Sequence, residues 1–221
     1  MAANTEGKRE IVGLHIGPSE AETFWSTFLK SLVRRGLRGT KLVVSDAHEG
    51  LKAAIRRVMG STWQRCRVHW MRNAQSYAPK GQQSMVSAAL RQAFIQPDRV
   101  NASQTLRHVA DQLRVKWPKL GAFIDESEAD VLAHMDFPVQ HRTKLHSTNP
   151  LERLNKEVKR RADVVGIFPN EGAIIRLIGA VLLEANDEWQ LQHRYMQTEA
   201  MAELTPPLTD AVPTQISTEA A

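Results

Sequence analysis

The sequence predicts an α/β protein whose small core is interrupted by an all-helical block. Three observations carry that expectation. Lys41-Leu42-Val43-Val44-Ser45 is a short, apolar, β-branched run of the kind that forms a buried strand, and Asp46 follows it directly. Around this run the pattern alternates strand, helix, strand, helix, strand between Glu10 and Arg67, the order of an α/β core. From about Trp70 to Met135 the signals become purely helical.

Each element has a local cause. Asn4-Thr5-Glu6-Gly7 is a turn sequence, and Glu10–Ile16 alternates loosely through Ile11, Val12, Leu14 and Ile16. It reads as the second half of a β-hairpin whose first half is missing. Ser19-Glu20-Ala21-Glu22 has capping-box spacing, and Phe24, Trp25, Phe28, Leu29, Leu32 and Val33 then recur at helical intervals up to Gly36. A second helix is expected from His48 to Met59, with Leu51, Ile55, Val58 and Met59 inward and Gly60 closing it. Thr62 to Arg67 reads as a further strand. The helical block is expected to contain Met85–Phe94, Ser103–Lys116 and Leu120–Met135, punctuated by Pro97 and Pro118. Asn149-Pro150 opens a helix running to about Val165, and an apolar helix follows from Glu171 to about Gln192.

Composition bounds the function classes. The chain has 221 residues, enough for one sizeable domain or two small ones, and 42% of them are hydrophobic. No run approaches the roughly eighteen apolar residues of a membrane helix, and MAANTEGKRE carries no signal-peptide apolar region. One cysteine, Cys66, excludes an internal disulfide framework and suits a reducing cytoplasm. The formal charge is +5, but Thr198–Ala221 holds no Lys or Arg and four acids. Taking those four negatives away leaves the body at +9. That tail, from residue 196 on, is expected to be disordered.

Four groups of residues invite a chemical reading. Asp46 stands at the C-terminal end of a buried strand, where open α/β sheets gather ligands, although an aspartate there also caps the next helix. Glu152 falls three residues after Asn149, so it serves equally as a capping carboxylate or as a metal ligand. Asp46 and Glu152 together offer the oxygen ligands that Mg²⁺ prefers. Cys66 and His69 have the spacing of half a zinc site, but no second thiolate completes it, and a buried cysteine beside a hydrogen-bonded histidine explains the pair as well. Arg153, Lys156, Lys159, Arg160 and Arg161 line the same helix as Glu152, with Leu151, Leu154 and Val158 as its buried stripe. These bases form either a solvated face or a path for a phosphate backbone. Trp63, Trp70, Trp117 and Trp189 read most simply as core or helix-contact residues.

Three stretches in order, LVVSDAHEGLKAAI, WQRCRVHWMRN and STNPLERLNKEVKRRADVVGIFPN, closely resemble prokaryotic transposases of the Mutator superfamily. The likeness runs from about Gly7 to Tyr195. It implies an RNase H-like catalytic core with a helical insertion before the last catalytic acid. It also implies a DDE mechanism: Mg²⁺-dependent (or Mn²⁺-dependent) cleavage at transposon ends and strand transfer into target DNA. By that likeness Asp46 is the second aspartate and Glu152 the glutamate, both metal ligands, with Cys66 and His69 supporting them. The implied organisation is a partial core at 7–67, a helical insertion at 68–147, closing core helices at 148–195 and a tail at 196–221. The implied partners are DNA, at transposon ends and target, and further copies of the intact protein.

The sequence departs from the pattern in one respect. The family's first aspartate lies on the first core strand, and the residues before Arg9 contain no aspartate. With a strand order of 3-2-1-4-5, strands one and two are missing between Glu10–Ile16 and the Asp46 strand, a gap of roughly 14 Å at three strand spacings. Either strand three re-pairs or an edge is exposed, and the chain alone is expected to fold poorly and not to transpose. The alternative is a non-catalytic remnant that binds DNA or intact transposase.

Overall fold

The computed structural model describes residues 1–17 and 21–204. Its elements run β1 (Ala2–Ala3), β2 (Arg9–Glu10), α1 (Glu22–Arg34), β3 (Leu42–Ser45), α2 (Glu49–Met59), β4 (Thr62–Arg65), α3 (Arg67–Ser76), α4 (Gln83–Phe94), α5 (Arg99–Arg114), α6 (Pro118–Val131), α7 (Val139–Leu145), α8 (Asn149–Val165) and α9 (Glu171–Leu191). The described residues are thus rich in helix, with two small sheets, compatible with the α/β expectation.

β3 and β4 pair in parallel, Leu42 opposite Thr62 through Ser45 opposite Arg65, and α2 crosses between them. Local chemistry sets the bounds of α2. The His48 ring accepts from Leu51 N, and Gly60 adopts φ +60°, a left-handed cap that a Cβ would disfavour. Leu29, Leu32, Ala54, Ile55 and Trp63 bury the seam between α1, α2 and the strands. Ser45 Oγ accepts from Trp63 Nε1 at 2.8 Å, which fixes the end of β3 from beneath.

The helical block has its own core. Trp70 is fully buried against Phe123 and Phe94, and its Nε1 donates to Ser127 Oγ at 2.6 Å. Val86, Leu90, Leu106, Ala110, Leu120 and Ile124 complete this layer from α4, α5 and α6. Truncating a residue such as Trp70 to alanine costs about 3–5 kcal/mol. The block is tied to the strands by Gln64, whose fully buried amide donates to Val131 O at 2.9 Å and accepts from His134 N at 2.7 Å. An unpaired buried amide is expensive, so both ends of Gln64 hold β4 against the end of α6.

Several expectations are corrected. The first half of the hairpin is present as Ala2–Ala3, and Ile11–Ile16 form no strand. Asn4 organises the turn, its Oδ1 accepting from Glu6 N and Lys8 N, while Gly7 takes φ +73°. β2 therefore pairs with β1 and not with β3. The strand expected to reach Arg67 ends at Arg65, because Arg67 N turns to His146 O and opens α3. α3 and α7 add to the three helices expected of the block. Leu151 of the expected buried stripe is exposed, whereas Leu154 is buried. The expected tail also starts too early. Met196 and Ala200 are buried, and Met196 N donates to Gly7 O at 3.0 Å. Glu199–Leu204 form a 3-10 turn, and the rest of the tail lies outside the described residues, as do Ser19 and Glu20 of the capping box.

Candidate metal and nucleic-acid site

Asp46 emerges exposed from the C-terminal end of β3, as its position after a β-branched strand requires. The next strand brings the second component. Cys66 N donates to Ser45 O at 2.8 Å, so the β4–α3 junction sits directly beside Asp46. One helical turn into α3, His69 Nδ1 lies 2.6 Å from Asp46 Oδ1. The third component is the first turn of α8, where Glu152 Oε1 lies 3.7 Å from the same His69 nitrogen. Two carboxylates from distant parts of the chain thus converge on one imidazole.

The Asp46–His69 approach is short in distance but lacks the alignment of a ring hydrogen bond. His69 Nδ1 is buried without a hydrogen-bond partner among the described residues. Asp46, Cys66 and His69 present ligand-type atoms all within 4.8 Å of one another, and Cys66 is fully buried. One thiol, one imidazole and two carboxylates are not a thiolate-rich structural zinc set. The carboxylate oxygens face the more open side, as a hard, hydrated cation prefers.

Thr148 was not singled out by the sequence, which placed the helix cap at Asn149. In the structure Thr148 is the residue before the helix, with Asn149 inside it and Pro150 in the first turn. Its Oγ1 lies 2.8 Å from Glu152 Oε1 and 3.2 Å from Cys66 Sγ, and its N–H donates to Cys66 Sγ at 3.4 Å. The available signal was a hydroxyl four residues before a carboxylate, a spacing that puts both on one helix face.

The bases expected on α8 divide into two sets. All five side chains are exposed. Arg160 and Arg161 both bond Glu157, at 2.6 and 2.9 Å, and those bonds draw the Glu157 carboxyl down to about 2. Arg153, Lys156 and Lys159 make no ion pair among the described residues. Beside α8 lies an open cleft of roughly 480 Å³ lined by Arg9, Lys144, Arg153, Trp189 and Tyr195. Arg9 stacks over Trp189 at 4.3 Å, and Lys144 sits 4.9 Å over Tyr195. Burial raises the Tyr195 phenol, while Arg9 and Arg153 pull it back. Trp189, half-buried, forms one wall of this cleft. Three cations from β2, α7 and α8 meet here with Glu157, already engaged by two arginines, as the acid on the lining.

No helix among the described residues is long and apolar enough to cross a membrane.

Comparison with known proteins gives a family. The model of the family described as "Transposase, Mutator family" matches residues 1–192. The transposase for insertion sequence element IS1081 of Mycobacterium tuberculosis is 42% identical over 207 residues, covering 93% of this chain and 50% of that protein. The transposase for insertion sequence element IS256 in transposon Tn4001 of Staphylococcus aureus is 40% identical, covering 83% of this chain and 48% of its own length. The transposase for insertion sequence element IST2 of Acidithiobacillus ferrooxidans is 29% identical over 86% of this chain and 64% of its own. The chain spans about half the length of the first two.

Proposed function

Because this chain belongs to the Mutator family of transposases, we propose that it carries two acids of a DDE-type centre for DNA transposition. Asp46 and Glu152 are the metal ligands, and the core around them is of the RNase H-like class. The observation that supports this most is the convergence of Asp46 and Glu152 on His69 Nδ1. The parallel β3–α2–β4 unit, with Asp46 at its carboxyl edge, agrees with it.

The residues fit Mg²⁺ or Mn²⁺. Two carboxylates from separate elements, with room for water on the exposed side, form the sort of partial cage that such ions accept. When bound, the ions supply an activated water or 3′-hydroxyl and stabilise the leaving oxygen. The chain's own contribution is placement. Trp63 and Ser45 fix the strand end that presents Asp46, and the Thr148 turn presents Glu152. A DDE centre uses three acids, and the described residues bring two here. On this reading the third belongs to a first core strand, and these 221 residues by themselves bind metal and DNA without completing strand transfer.

DNA enters along α8. Arg153, Lys156 and Lys159 make no ion pair among the described residues, and the Arg9–Lys144–Arg153 cleft continues the positive surface from the turn that carries Glu152. Phosphate contacts of this type supply most non-specific affinity. On this reading the partners are transposon ends and target DNA, met in the cytoplasm by more than one copy of the protein.

Mn²⁺ titration of the chain, read by loss of the free-ion electron paramagnetic signal, tests the metal centre. D46N and E152Q are each expected to weaken binding by about tenfold or more, with DNA affinity retained. Metal-independent DNA binding with no Mn²⁺ uptake by any variant would leave a DNA-binding remnant in place of an enzyme.

A further inference from the structure

Cys66, Thr148 and Glu152 form a chain of contacts whose hydrogen count is informative. Thr148 Oγ1 touches both Glu152 Oε1, at 2.8 Å, and Cys66 Sγ, at 3.2 Å. A threonine hydroxyl owns one hydrogen and cannot donate to both. The carboxylate is the stronger acceptor and the closer one, and 2.8 Å is the usual length of a hydroxyl-to-oxygen bond. The hydroxyl hydrogen therefore goes to Glu152. The hydrogen then left for the Cys66 contact is the thiol's own, which can donate to Thr148 Oγ1. Cys66 Sγ meanwhile accepts the Thr148 N–H at 3.4 Å, so the two residues are locked to each other twice.

We propose that Thr148 is a positioning residue for the metal-binding carboxylate of Glu152, and that the buried thiol of Cys66 orients Thr148 through a directed relay, Sγ–H to Oγ1–H to Oε1. This rests on the reading of Glu152 as a metal ligand, and it gives the cysteine and the threonine distinct jobs. In this arrangement Cys66, fully buried, acts through Thr148 and is not itself a ligand. One Glu152 oxygen is held from behind by the hydroxyl, so the carboxylate is aimed before any cation arrives. Cys66 N is anchored on Ser45 O, so the relay also ties the turn carrying Glu152 to the strand end carrying Asp46.

Cys66 is the chain's single cysteine, which makes the test spectroscopically clean. The infrared S–H stretching band of the whole chain reports the thiol's donor bond directly. T148V, which keeps the shape and removes the hydroxyl, is expected to move that band to higher frequency and to weaken Mn²⁺ binding about tenfold. T148S is expected to restore the band position and bring the affinity within about threefold of the parent. Circular dichroism confirms that each variant is folded. The relay is overturned if the S–H band is the same in the parent and T148V, or if T148S is as impaired as T148V. Should the parent chain bind no Mn²⁺ at all, the metal reading fails, and the S–H band still decides whether the thiol donates to Thr148.

Discussion

His69 Nδ1 stands 2.6 Å from Asp46 Oδ1 and 3.7 Å from Glu152 Oε1, so a single imidazole marks the point where the two acids meet. Two carboxylates held close repel each other, and a cation bound to the folded chain alone stabilises it by about 2.7 kcal/mol at a hundred times its dissociation constant. Saturating Mn²⁺ is therefore expected to raise the thermal midpoint of the parent chain. D46N and E152Q should lose that rise, whereas D163N, an exposed acid further along α8, should keep it. A rise that survives in both D46N and E152Q would place the cation elsewhere.

The bases of α8 should not contribute equally. Among the described residues Lys156 and Lys159 make no ion pair, while Arg160 is held by Glu157 through two hydrogen bonds. Each phosphate contact adds close to 0.9 to the slope of log affinity against log salt. K156A and K159A are each expected to reduce that slope by about one, and R160A by clearly less. Fluorescence anisotropy with a labelled duplex across a sodium chloride series measures this. The R9Q/K144Q pair should behave like the two lysine variants if the cleft lies on the DNA path. Equal slopes for all variants would leave the α8 face a solvated one.

How far this was legible in the sequence depends on how local each signal was. Asn149-Pro150 and Gly166 bracket α8 because proline suits a first turn and glycine ends it, and both bounds were readable. α3 was readable only in part. The helical signal begins at about Trp70, but Cys66 and Arg67 read as part of the strand, which ends at Arg65, where Arg67 N bonds His146 O. β1 escaped notice since two alanines carry no strand pattern, and their pairing depends on the Asn4 turn. The pairing of Asp46 with Glu152 was suggested by their being carboxylates and carried by resemblance, because no spacing rule joins residues on either side of a whole helical block. Thr148 was hidden by Asn149, a better cap former by type.

His134 provides a pH dependence. Burial, helped by Arg67 and His146, lowers its pKa to about 4, and His146 is lowered in the same way by burial and Arg67. A depressed histidine favours the folded state only while neutral. The protein keeps this stability above the unfolded value near 6.5 and loses it progressively as pH falls towards about 4. The loss at His134 alone is on the order of 2–3 kcal/mol. Urea midpoints measured from pH 7 to pH 5 should fall, and H134Q should show a shallower fall. An identical profile in H134Q would mean that His134 is protonated without penalty in the folded chain.

α9 is the most apolar helix and yet buries only Val181 among its described residues. Leu191 is 91% exposed, Leu183 62%, and Ile167 in the preceding turn 90%. Exposed side chains of this kind add little to the fold's own stability, so L183E and L191E are expected to shift unfolding by no more than about 0.5 kcal/mol. V181A, by contrast, removes buried methyl groups and should cost about 1–2 kcal/mol. Exposed apolar side chains also promote association, so the two glutamate variants should lower the sedimentation-average mass at high concentration. Thermal melts and analytical ultracentrifugation on the same samples separate the effects. If L183E destabilised the chain as much as V181A, that face would have to be buried in solution.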